Sequence, residues 1–222
     1  MRARSNGAGN LSLKRTCEGF SRFDAYATFF MAMVAGALIL TVISGQRPST
    51  LIPCSNRLKM VGIAFRTWAS DNRDLYPMQV SSNQGGTREW IGTTNVFVHF
   101  LVMSDYLNTP KVLLCPSDTS RKVAAAFATS FGNSNISYFV GVEADTTNGS
   151  KLLTGDRNLA LRGTAALPAL TISKDTPVRW TRSLHDRQGL ILFTDGHVEI
   201  LKNEELPFAL RRLISTNQVE FP

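Results

Sequence analysis

The sequence predicts an α+β fold, with an N-terminal transmembrane helix followed by a globular domain built on an antiparallel sheet. Three observations predict it. An uncharged apolar span occupies residues 25–45. Apolar residues then recur at helical spacing over residues 58–68. Short β-rich segments follow in sequential order and end in a hairpin signature, which favours antiparallel pairing. At 222 residues the chain can bury a core of its own. A content of 43% hydrophobic and 18% charged residues, with 16 Gly and 9 Pro, excludes collagen-like, coiled-coil and wholly disordered classes.

Of the net charge of +7, a disproportionate +3 falls in the first nineteen residues, where Arg2, Arg4, Lys14 and Arg15 face Glu18 alone. The remaining residues hold 20 basic and 16 acidic side chains and no basic stripe interleaved with aromatics. The electrostatic footprint of a nucleic-acid partner is therefore missing, and no nucleic-acid binding is expected.

The elements follow in chain order. A helix over residues 25–45 rises ~30 Å, the thickness of a bilayer hydrocarbon core, and is apolar all round where a soluble helix would show a polar face. Lys14, Arg15 and Arg22 precede it. By the positive-inside rule the N-terminus is cytoplasmic and residues 50–222 are extracytoplasmic. The span is too long for an ordinary signal peptide, and Ile43-Ser44-Gly45 is a poor small-x-small site, so it reads as a retained anchor. Cys17 falls on the inner side, while Cys54 and Cys115 fall on the outer side, where a disulfide persists. Spacing alone leaves two buried free thiols equally open.

A breaker cluster at residues 45–50, reinforced by Pro53, ends the first helix. Ser55 is placed to cap a second, amphipathic helix with Leu58, Val61, Ile63, Ala64, Phe65 and Trp68 on its apolar face, ending at Asp71-Asn72. Residues 77–95 read as a loop, residues 95–107 as a short helix, and residues 111–114 as a short apolar run stopped by Cys115-Pro116-Ser117-Asp118. Residues 136–142, 151–154 and 157–161 read as strands. Residues 189–194 and 197–201 form a hairpin about a two-residue type I′ turn at Asp195-Gly196. Asn203 caps a last helix through about residue 214.

His185, Asp186, Asp195 and His197 are residue types that ligate zinc or iron, and positions 195 and 197 share strand parity. Asp195-Gly196 is also the chemistry a tight hairpin demands, with His185 placed to hydrogen-bond Asp195 and fix the turn. Asp71, Asp74, Asp118 and Asp156 offer oxygens for calcium, but their spacing matches no calcium loop and identifies no ligand set. The chain has no Gly-x-Ser-x-Gly, no His-Glu-x-x-His and no P-loop.

Gly19-Phe20-Ser21-Arg22-Phe23-Asp24, preceded by Lys14 and Arg15 and followed by the apolar span, resembles the cleavage and methylation site of type IV prepilins and type II secretion pseudopilins. Residues 54–65 with Asn72 and Tyr76-Pro77, the element Leu114-Cys115-Pro116-Ser117-Asp118, the element Gly155-Asp156-Arg157-Asn158, and His185 nine residues before Asp195-Gly196 resemble a bacterial pseudopilin-like family with a C-terminal H-x9-DG motif. The resemblance implies cleavage between Gly19 and Phe20, methylation of the Phe20 amine, and an assembly carboxylate at Asp24, where the family has Glu. Asp24 would pair with that amine, its own or a neighbour's; the alternative is an interfacial aspartate that faces water or pairs with Arg22.

The expected organisation is thus a cytoplasmic leader (1–19), a transmembrane helix and linker (20–49) and an extracytoplasmic pilin-like domain (50–222). The resemblance implies a non-catalytic pseudopilin of a type II secretion or type IV pilus-like assembly, single-pass in the inner membrane. Its partners would be the lipid bilayer, a prepilin peptidase and other pilin-like subunits, with no cofactor required and calcium left open. The competing expectation is a signal-anchored metal-dependent enzyme or binding module using the His185/Asp195 region.

Overall fold

The computed structural model describes residues 22–45, 51–128, 130–164, 167–213 and 215–222. The chain divides into two units, residues 1–48 and 49–222. In the first, helix α1 spans Arg22–Gly45 with Asp24 in its first turn. Thr28 Oγ1 donates to the carbonyls of Asp24 and Ala25 at 2.9 and 3.1 Å. Phe23, Tyr26, Phe29, Phe30, Met31 and Met33 are all exposed. Among the described residues no helix is long and apolar enough to cross a membrane. This corrects the expected transmembrane helix and the single-pass inner-membrane placement. The physical reason lies in the described side chains: Arg22, Asp24, Tyr26 and Thr28 break the apolar character of the first two turns.

The second unit opens with α2 (Leu51–Asp71). The helix starts ahead of Pro53 instead of after it, because a proline in the first turn forfeits no intrahelical hydrogen bond. Cys54, Leu58, Val61, Phe65 and Trp68 recur on one buried face. Ile63, expected on that face, points outward with Ile52 and Met60. Asn72 Nδ2 donates to Trp68 O at 2.8 Å, and left-handed Arg73 and Asp74 stop the helix.

Short 3-10 turns at Pro77–Gln79, Ser82–Gln84 and Arg88–Trp90 order the expected loop. The single helix expected next is split into α3 (Phe97–Leu101) and α4 (Ser104–Leu107). The apolar run at residues 111–114 falls mostly in a 3-10 turn, Pro110–Leu113, because Pro110 fixes a helical φ and the Thr109 hydroxyl accepts Lys111 N–H.

Eight strands follow: β1 (Tyr138–Gly141), β2 (Leu152–Asp156), β3 (Leu159–Leu161), β4 (Ala169–Ile172), β5 (Val178–Trp180), β6 (Gln188–Phe193), β7 (Val198–Lys202) and β8 (Asn217–Glu220), with α5 (Leu206–Leu210) between the last two. Six make a sheet in the order β4-β8-β1-β2-β6-β7, and β3 pairs with β5. Every pairing is antiparallel. Side chains alternate between two cores. Tyr138, Val140, Leu190 and Leu192 meet α2, while Phe139, Ile191 and Phe193 meet α5 and Val219.

The last helix is shorter than expected. Asn203 does not cap it; its side chain instead accepts from Trp180 N–H and donates to Trp180 O. The hairpin between β6 and β7 also differs in detail. Gly196 N–H bonds Phe193 O at 2.9 Å and Phe193 N–H bonds His197 O at 3.1 Å, leaving three residues in the loop. Only Gly196 in it has a positive φ, 92°, so this is a type I turn closed by a glycine bulge and not type I′, which needs positive φ at both central residues.

Candidate functional site

Residues 49–222 hold a buried polar constellation built from segments distant in sequence. Cys54, in the first turns of α2, is joined by a disulfide to Cys115, just after the Pro110–Leu113 turn; their Cα atoms are 5.2 Å apart. In the loop-entropy model a crosslink across 61 residues restricts the unfolded chain by about 4 kcal/mol. Arg57, one turn further along α2, donates to Leu114 O and ties the same two segments.

His185 approaches from the loop before β6. Its Nε2 lies 3.2 Å from Cys115 Sγ and 3.5 Å from Asp156 Oδ2. The next two residues, Asp186 and Arg187, both adopt left-handed backbone, which turns the chain sharply after the histidine. Asn158 holds this loop in place by donating to Thr181 O and Gln188 O at 3.2 and 3.0 Å.

Asp156 ends β2 and is wholly buried; Leu190 N–H donates to its Oδ2 at 2.9 Å, while Oδ1 accepts no hydrogen bond. Burial pushes its pKa up to about 8, with Asp118 adding to the rise. Burial likewise pushes the His185 pKa down, the Asp118 charge opposing. Near pH 7 both groups are therefore uncharged, and their contact is a neutral pair. The Tyr138 hydroxyl, buried and without a hydrogen-bond partner, is raised by the same desolvation.

Asp118 shows the opposite outcome. Burial alone would raise it, but Arg157 grips it with two bonds of 2.7 and 2.8 Å, and Ser120 and Ser137 donate as well, so its pKa falls below the ordinary value. The pair is a fully compensated buried charge.

Four of the signatures singled out in the sequence thus meet at one place: Cys54 after the first helix, residues 114–118, residues 155–158, and His185. The fifth does not join them. Asp195 and Gly196 sit in the exposed hairpin turn, where Asp195 Oδ1 accepts from His197 N–H at 3.0 Å and pairs with His197 Nδ1, and His197 Nε2 faces Glu199. Among the described residues no hydrogen bond or ion pair joins His185 to Asp195, so the hydrogen bond expected to fix the turn is replaced by the one from His197. Asp186 is exposed beside Arg182. The four residues considered for a hydrolytic metal are therefore dispersed.

Of the four aspartates considered for calcium, Asp118 and Asp156 carry the partners given above. Asp71 accepts from Tyr106, and Asp74 offers its carbonyl to Thr146. Asp24 lies in the first turn of α1, while Gly19 and Phe20, the expected cleavage site, lie outside the described residues. A second buried polar cluster had no sequence signal: His99 Nδ1 contacts Thr87 Oγ1 at 2.7 Å, its Nε2 lies 3.9 Å from Glu220 Oε2, and Glu220 Oε1 accepts Gly92 N–H. Thr87, Gly92 and His99 are near neighbours in the chain, but Glu220 comes from more than 120 residues away, and only the fold shows that they meet.

Protein-family models, curated proteins and solved structures were all compared with the chain, and none matches.

Proposed function

We propose that the chain is a non-catalytic, pilin-like assembly subunit, with α1 as the packing spine and residues 49–222 as the head that faces neighbouring subunits or cargo. The observation that carries this reading is the exposed apolar surface of α1. Phe23, Tyr26, Phe29, Phe30, Met31 and Met33 are exposed. At ~100° per residue they spread over more than half the helix circumference, and alanines fill much of the rest. A surface helix of a self-sufficient domain keeps a polar face, whereas this one can bury apolar area only against something else. The occupant we assign is α1 of further copies.

Burying one large apolar side chain contributes roughly 1.5–3 kcal/mol, so six supply on the order of 10 kcal/mol before the entropy of association is set against them. The head adds a second apolar row on α2, Ile52, Met60 and Ile63, all exposed. These lie within about 80° of one another on the helical wheel, as one contact strip would require.

In this reading cleavage between Gly19 and Phe20 frees an amine for Asp24, which sets the axial register between subunits. The test is sedimentation of the purified full chain beside Phe30→Glu/Met33→Glu. The wild type is expected to form large, concentration-dependent species, and the double variant to lose them while the head keeps its melting temperature. A wild type that stays monomeric at tens of micromolar would remove the reading.

A further inference from the structure

Cys54, Cys115 and His185 bring three ligand atoms within 4.8 Å of one another, and all three residues are buried. The Asp156 carboxylate stands beside them, its Oδ2 3.5 Å from His185 Nε2. Its Oδ1 is buried and accepts no hydrogen bond, an arrangement that costs free energy until something electropositive arrives. Two sulfurs, one imidazole nitrogen and one carboxylate oxygen are a donor set that tetrahedral zinc takes, whereas calcium and magnesium demand oxygen throughout.

We propose that, once a dithiol has reduced the Cys54–Cys115 disulfide, Cys54, Cys115, His185 and Asp156 form a tetrahedral zinc site, so that disulfide and zinc complex are alternative states of one buried centre. The dithiol delivers two electrons and two protons to the S–S bond and closes to its own cyclic disulfide. Zn²⁺ then displaces the two thiol protons and the Asp156 carboxyl proton into solvent.

The Cys54, Cys115 and His185 atoms are already close, whereas Asp156 lies outside that group and its carboxylate must swing toward the sulfurs to complete the tetrahedron. Around a tetrahedral zinc the nitrogen and carboxylate oxygen sit about 3.4 Å apart and a sulfur and nitrogen about 3.6 Å apart, from the usual bond lengths. The corresponding separations here are 3.5 Å and 3.2 Å. The two sulfurs must part to about 3.8 Å, again from Zn–S bonds of ~2.3 Å. A Cα separation of 5.2 Å leaves room for that through side-chain rotation. With Nε2 on the metal, Nδ1 carries the imidazole proton. Leu190 N–H already orients the carboxylate through Oδ2, as an outer-shell donor does at built metal sites.

The experiment uses the full chain carrying Cys17→Ser, so that 54 and 115 are its only cysteines. The protein is reduced with dithiothreitol, freed of it anaerobically, and titrated with Co²⁺ as a spectroscopic substitute, then with Zn²⁺. One metal per chain is expected, with thiolate-to-cobalt charge-transfer absorption and tetrahedral visible bands that Zn²⁺ abolishes, while the oxidised chain shows none of these. Asp156→Asn should keep the thiolate signal and weaken affinity about 10- to 100-fold. A reduced chain that binds no metal, folded or not, overturns the proposal, as does equal binding by the oxidised chain.

Discussion

Asp156 is the residue where environment departs furthest from a carboxylate's ordinary behaviour. Its folded-state pKa of about 8 lies above the usual 3.8, so between those values the folded chain holds a proton that the unfolded chain has released. Stability from this group therefore falls as pH rises through that window. His185, with its pKa lowered by burial, acts in the opposite direction but only at and below its ordinary value near 6.5, and Asp118 acts only in the acid range. The stretch from pH 6.5 to 8 belongs mainly to Asp156. Denaturant midpoints of the oxidised chain should decline across it, and Asp156→Asn should flatten the decline; a wild-type profile that is level or rising there contradicts the assignment. At the Asp118–Arg157 pair, Arg157→Ala leaves a buried carboxylate without its cation and should cost roughly 3–5 kcal/mol in urea unfolding. A loss within 1 kcal/mol would show that the pair is solvated.

At the scale of elements, legibility tracked periodicity. Helix α2, strands β1 and β2 and the β6–β7 hairpin announce themselves because each pairs an apolar period with a stop signal. β8 does not: Asn217-Gln218-Val219-Glu220 reads as polar coil, yet it lies between β4 and β1 in the sheet. Its partners come from far away, Leu152 N–H for Asn217 Oδ1 and Gly92 N–H for Glu220 Oε1, and no local pattern encodes them. The hairpin shows the reverse case. Its position was readable, but the turn type rested on a three-residue loop that the Asp-Gly pair alone does not determine. Because Gly196 adopts φ 92° with open space around its missing Cβ, Gly196→Val should destabilise through backbone strain alone, by roughly 1–3 kcal/mol. An unchanged melting temperature would disprove the bulged turn. Gly155 is held for a different reason: a Cβ there would meet Leu190 O at 2.6 Å, so Gly155→Ala should part β2 from β6 and lower the melting temperature further than a surface Gly→Ala change does.

For the whole molecule, the candidate site was half legible. The cysteines, His185 and the Asp-Arg-Asn element stood out singly, but their convergence depends on α2, the 3-10 turn before Cys115 and the end of β2 arriving together. The pairing of His185 with Asp156 in place of Asp195 could not be read from nine-residue spacing, because the sharp left-handed turn at Asp186 and Arg187 decides where the imidazole points. The apolar character of α1 was legible, and among the described residues no helix is long and apolar enough to cross a membrane. The account therefore turns on whether exposed α1 surfaces find one another. The measurement that tests this most directly is analytical ultracentrifugation of the full chain across a concentration series, with Phe30→Glu/Met33→Glu as the matched comparison. The account predicts assembly that grows with concentration and collapses to monomer in the variant. A monomeric wild type, or a variant that assembles as well as the wild type, would contradict it.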